Sequence, residues 1–163
     1  MKTTQPKAEF KVETPTDREI VMTRVLDAPR ATVFRAFTEP ALIKRWLLGP
    51  DGWSMPVCDV DLTPGGLVRY VWRNDEDGRE FGIAGVCHEV VAPERITRTE
   101  KMDGQPGEAL VTTTFIERDG STTVTMTILY ETREIRDIAL ASGMEHGVAA
   151  SYDRLSGVLA SMA

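Results

Sequence analysis

The chain is poor in the residues that dedicated chemistry usually gathers. Among 163 residues there are 2 histidines and 2 cysteines. His88 and His146 belong to neither an HxxxH nor an HExxH pattern, and a metal site needs several donors held together, so no metal is expected. Asp59 and Asp61, two apart on one strand, read as acidic residues of a solvated face rather than as a ligand pair. Cys58 and Cys87 stand inside apolar strand patterns and not in a CxxC spacing, which reads as a pair of buried, reduced thiols. Basic charge is in deficit, with 19 Lys plus Arg against 25 Asp plus Glu and a net charge of -6, and no basic run offsets this locally. A phosphate backbone needs a concentrated positive field, so nucleic acid is not an expected partner. Nowhere do about eighteen apolar residues follow one another, and the opening MKTTQPKAEFKVETPTDRE contains no apolar core of a secretion signal. The expectation is a cytoplasmic protein that does not engage a membrane.

Nucleophile and phosphate motifs are missing as well. There is no GxSxG elbow, and Ser151 and His146 lie five apart on a helix, a poor spacing for mutual contact. Cys87 and His88, adjacent on a strand, point to opposite faces. Gly65-Gly66 and Gly82 to Gly85 match neither GxGxxG nor GxxxxGK[ST] and read as turn and bend glycines. No cofactor and no catalytic residue are expected.

What the chain does have is an order of elements. Residues 1–17 hold only Phe10 and Val12 as sizeable apolar groups and read as a flexible N-terminal tail, with an edge strand through Ala8 to Val12 as the alternative. Residues 18–163 read as one domain, long enough to bury roughly 70% of the surface of the unfolded chain. A first strand, Glu19 to Asp27, precedes two short helices. Pro29 suits a first helical turn, with Val33, Phe34 and Phe37 on one face; Pro40 opens the second helix, with Leu42, Ile43 and Trp46 on one side.

Turn signals then divide a run of strands at Thr63 to Gly66, Asn74 to Gly78, Ala92 to Glu94, Asp103 to Gly107 and Arg118 to Ser121. The last turn sets Phe115 opposite Val124, Thr113 opposite Met126 and Val111 opposite Ile128, leaving an apolar face and a Thr-rich one. The same arithmetic pairs Arg73 with Glu80, Trp72 with Phe81 and Tyr70 with Ile83, with the aromatics inside. Between Gly82 and Val91 the phase conflicts, since Val86, His88 and Val90 compete with Cys87 for inward positions, and a bulge resolves it. The chain closes on an amphipathic helix from about Ser142 to Met162, bearing Met144, Val148, Tyr152, Leu155, Leu159 and Met162 at steps of three and four. Ser142-Gly143-Met144-Glu145 has capping-box spacing, and Glu134 to Leu140 form a separate helical turn before it. A long helix arriving last must find its apolar partner among strands already laid down.

The segments TRVLDAPRATVFRAFTEPALIKRWLLGPDGW, CDVDLTPGGLVRYVW, GREFGIAGVCHEVVAPERITRTE and MEHGVAASYDRLSGVLASM together resemble the activator of heat-shock-protein-ninety ATPase homologue family, within the START-like superfamily. The resemblance implies an α+β helix-grip fold: a curved antiparallel sheet wrapped around a long C-terminal helix, with two short helices after the first strand and an apolar cavity between helix and sheet. Two positions depart from the family pattern, Val148 where Trp often follows the glycine and Cys87 where Tyr is common.

Trp46, Trp53, Tyr70, Trp72, Phe81, Phe115, Met126, Met144, Val148 and Tyr152 are the candidate ligand-binding residues, because small-molecule sites are mostly apolar with few polar anchors. Glu145, Arg24, Arg69 and Tyr152 are the candidate anchors. The reading is a binder of a small apolar or amphipathic molecule. The alternatives are a chaperone ATPase regulator and a cyclase- or hydrolase-like enzyme acting in the cavity. A homodimer through an exposed sheet edge or the short helices is compatible with the chain.

Overall fold

The computed structural model describes residues 10–163. Its strands are β1 (Lys11–Glu13), β2 (Glu19–Leu26), β3 (Trp53–Val60), β4 (Leu67–Asn74), β5 (Glu80–Val91), β6 (Arg95–Met102), β7 (Ala109–Arg118) and β8 (Ser121–Tyr130). The helices are α1 (Arg30–Thr38), α2 (Pro40–Trp46), α3 (Arg133–Ala141) and α4 (Met144–Met162). All strand pairings are antiparallel, in the order β1-β2-β8-β7-β6-β5-β4-β3. β3 to β8 form a meander, and β2 closes onto β8. This is the expected helix-grip: an eight-stranded antiparallel sheet receives α4, the last helix, against its apolar face.

Local chemistry fixes the register. The β7–β8 hairpin turns on Asp119-Gly120, both at positive φ (53° and 79°), and this aligns Phe115 with Val124, Thr113 with Met126 and Val111 with Ile128. Arg73, Trp72 and Tyr70 face Glu80, Phe81 and Ile83 across β4–β5. The register of β5 against β6 shifts between Cys87 and Glu89. Cys87 takes the inward position and is buried, while His88 lies exposed.

Four expectations are corrected. Lys11–Glu13 pairs with β2 as a short edge strand, overlapping the Ala8 to Val12 alternative at Lys11 and Val12, so these three residues are strand and not tail; residues 1–9 of that tail lie outside the described residues. Pro29 sits at the N-cap of α1 and not in its first turn, whereas Pro40 is at the start of α2. No capping box forms at Ser142: its hydroxyl donates back to Ala139 O at the end of α3, and Gly143, at φ 77°, starts α4. Phe81 is not inside. It is 40% exposed at the start of β5, stacking on the outer side of Trp72 with ring centroids 5.0 Å apart.

The core falls into packed regions along the concave face. α1, α2 and the C-terminal half of α4 enclose Leu26, Val33, Trp46, Phe115, Tyr152 and Leu155. Rings of Phe37, Trp46, Phe115 and Tyr152 meet at centroid distances of 4.7–6.1 Å. Nearer α3 the inward residues are mostly aliphatic, Met22, Ala109, Val111 and Ile128 beside the single ring of Tyr130, with Ala139 and Met144 packed against them.

Candidate functional site

Two cavities follow one another along the concave face. The outer one, about 230 Å3, lies between α3, the first turn of α4 and strands β6 to β8, and its walls include Ile128, Tyr130, Ile135, Ala139 and Met144. The inner one, about 80 Å3, lies deeper under α4 among Trp46, Tyr70, Arg98, Met126, Val148 and Tyr152. Met126 and Ile128 are two apart on one face of β8, and Val148 is one turn on from Met144. Each pair therefore hands one wall from the first cavity to the next.

A partly buried polar network stands between them. Register places Arg98 opposite Cys87 and Val111, hence on the inward face of β6. Its Nη2 donates to Glu100 Oε1 at 2.6 Å and its Nη1 to the Tyr70 hydroxyl at 2.9 Å. Arg98 lines the inner cavity and Glu100 the outer one. A guanidinium so deep costs desolvation, which the carboxylate and phenol oxygen offset. A second pair pins the helix to the sheet, where Arg24 Nη1, 4% exposed, donates to Asp153 Oδ1 at 2.7 Å.

Burial pushes all three phenols above their ordinary range. Tyr130 is pushed up to about 12, by desolvation and then by the Glu100 carboxylate. Tyr70 and Tyr152 are raised chiefly by desolvation, against which Arg98 acts in the opposite direction. The Tyr130 hydroxyl donates to Met144 Sδ at 3.5 Å. The Tyr152 hydroxyl, in a residue 2% exposed, has no hydrogen-bond partner among the described residues.

Of the residues singled out by sequence, Trp46, Tyr70, Met126, Val148 and Tyr152 line the inner cavity and Met144 the outer. Phe115 packs edge-on against Phe34 and Phe37. Trp72 donates Nε1–H to Leu47 O at 2.6 Å, tying the end of α2 to the sheet. Trp53 and Phe81 contact each other at 5.4 Å. These last four line neither cavity. Of the candidate anchors, Arg69 points away from the site and pairs with Asp103 at 2.7 Å, while one oxygen of Glu145 is buried without a partner among the described residues. The positions that depart from the family pattern both fall here: Val148 forms cavity wall, and Cys87 is buried opposite Arg98.

Arg98 and Glu100 were not legible as site residues. The segment Arg95–Met102, RITRTEKM, has no apolar alternation to separate its faces, and the available signal was the pairing of β6 against β5 across the bulge. Among the described residues no three His, Cys, Asp or Glu side chains gather as a metal site, and no helix is long and apolar enough to cross a membrane.

A meander gripping its last helix, with cavities between the two, defines a START-like helix-grip protein. The family described as Activator of Hsp90 ATPase homolog 1-like protein matches residues 27–160, and the chain belongs to that family. It is similar to a Rhodobacter sphaeroides protein of known crystal structure, with 31% identity, TM-score 0.89 and coverage of 94% of this chain and 99% of that one. A Nitrosomonas europaea structure is 27% identical with TM-score 0.79, covering 92% and 100%. A Mycobacterium smegmatis structure at 22% identity and TM-score 0.82, covering 93% and 96%, shares the fold. No curated protein matches the chain.

Proposed function

We propose that this protein binds a small hydrophobic or amphipathic molecule between its sheet and its C-terminal helix, without covalent chemistry, as a cytoplasmic protein. The observation that carries this reading is the outer cavity of about 230 Å3, walled mainly by aliphatic side chains under α3 and the start of α4. An apolar body buried there gains about 25 cal/mol for each Å2 removed from water, and this needs no reactive group. The partly buried Arg98–Glu100 pair favours a second reading, an enzyme acting in the cavity, because it brings ionisable groups to an apolar wall. The family description also suggests chaperone ATPase regulation, tested by adding this protein to the chaperone and measuring ATP hydrolysis.

The binding test is thermal unfolding across a panel of lipids, aromatics and alkylbenzenes, beside a variant that fills the outer cavity. Ligand at a hundredfold excess over Kd adds about 2.7 kcal/mol, or ~5–10 °C in a domain of this size. Ala139→Phe projects a ring from α3 into the cavity, and the variant is expected to fold and lose that shift. A melting temperature that no compound raises removes the proposal.

A further inference from the structure

We propose that the inner cavity is a subsite for a neutral hydrogen-bond acceptor, the carbonyl oxygen of a ketone, ester or amide, received by the hydroxyl of Tyr152. This rests on the binding reading above and names the chemical class that the site takes: an apolar body in the outer cavity with a carbonyl reaching inward.

Tyr152 is 2% exposed, its oxygen lacks a partner among the described residues, and it lines a space of about 80 Å3. That space suits a functional group better than a whole ligand. A buried hydroxyl without a partner is costly to the free protein and becomes favourable when an acceptor arrives. Its phenol stays protonated because burial raises its pKa, so it offers a hydrogen. The neighbouring Tyr70 oxygen already accepts from Arg98, which leaves its own hydrogen for the same space.

The charges decide between a carbonyl and a carboxylate. Arg98 is the cation at the inner cavity, and it is already answered by Glu100 at 2.6 Å. A ligand carboxylate would meet a pair whose charges cancel, with Glu100 repelling it, and would be desolvated without compensation. A ketone carries no such penalty. A hydrocarbon would fit but leave the Tyr152 hydroxyl unpaired.

The test uses the full chain and three probes of similar skeleton: butyrophenone, butylbenzene and phenylbutyrate. Affinities come from quenching of tryptophan fluorescence, Trp46 being in the inner wall, and from thermal shift. Butyrophenone is expected to bind about fivefold to tenfold more tightly than butylbenzene, as one buried hydrogen bond implies, with phenylbutyrate weakest. Tyr152→Phe should bring the ketone down to the hydrocarbon's affinity and leave the hydrocarbon unchanged. Independently of any variant, the carbonyl stretch of bound butyrophenone should move to lower frequency than in hydrocarbon solvent. Equal affinities for ketone and hydrocarbon, a preference that survives Tyr152→Phe, a carboxylate that binds best, or an unshifted stretch would each overturn the carbonyl subsite while the binding reading stands. Failure of all three probes to bind overturns both.

Discussion

Tyr152 is buried on the sheet-facing side of the C-terminal helix, and removing its hydroxyl measures what that unpaired group costs the empty protein. Its ring meets Phe10, Phe37 and Trp46 at centroid distances of 5.9, 6.1 and 5.9 Å, contacts that phenylalanine keeps. Only the oxygen is lost, and it has no partner among the described residues. A buried polar group left unpaired costs about 1–3 kcal/mol, so Tyr152→Phe should stabilise the ligand-free protein by about 1–2 kcal/mol once some contact with cavity water is allowed. At ~2–4 °C per kcal/mol this is a rise of roughly 2–8 °C, read by calorimetry without ligand. Thr122→Val is the comparison. That hydroxyl, equally buried, donates to Ala28 O at 2.7 Å, and deleting it should cost about 1–2 kcal/mol. A Tyr152→Phe variant that melts lower than the parent, in step with Thr122→Val, would show that the hydroxyl is already satisfied and that the inner cavity offers no free donor.

Two further outcomes test the same frame. A Cβ built on Gly85 would lie 2.0 Å from the backbone oxygen of Thr99, so Gly85→Ala must part β5 from β6 and is expected to destabilise by more than about 2 kcal/mol in urea unfolding; a loss under about 0.5 kcal/mol would refute the close approach. All 3 tyrosines of the chain have raised pKa values, so their protonated form supports folding fully below pH 10 and that support fades as pH climbs through the folded values, about 12 for Tyr130. Native phenolate absorbance should stay near zero at pH 10–11 and appear together with unfolding; a tyrosine that titrates near pH 10 in folded protein contradicts the burial.

Much of the frame was readable because short-range chemistry and long-range packing agree. Asp119-Gly120 at positive φ dictates the β7–β8 turn, and a turn of that kind admits a single register that keeps Phe115, Val111 and Ile128 inside. The misreadings occur where that agreement fails. Phe81 pairs with Trp72 as the turn requires, yet it ends half-exposed while Trp72, held to Leu47 O, takes the buried place. Ser142 had a capping spacing, but α3 claimed its hydroxyl first. Arg98 and Glu100 look like solvent-facing charges on a polar strand, and only the pairing of β6 with β5 and β7 turns them inward. Hydrophobic pattern marks where a core is dense and carries little information about the few charges that a cavity retains.

Those charges and the cavities have a common origin in how α4 is held. At one end the helix is gripped by rings, with Trp46, Phe37 and Phe10 around Tyr152 and Phe115 against Phe37, which leave only the small inner cavity between sheet and helix. At the other, Ala109, Ile128, Tyr130 and Met144 face Ala139 of α3 and leave the outer cavity between them. Packing density demands that a gap between rigid layers be filled by protein, water or ligand. The Arg24–Asp153 pair fixes the helix on the sheet from the filled side, so it cannot settle to close the outer cavity without breaking an ion pair whose arginine is buried. Void and polar pair are thus linked: the Arg24–Asp153 contact holds helix to sheet, and the proposed ligand would occupy the space that this arrangement leaves open.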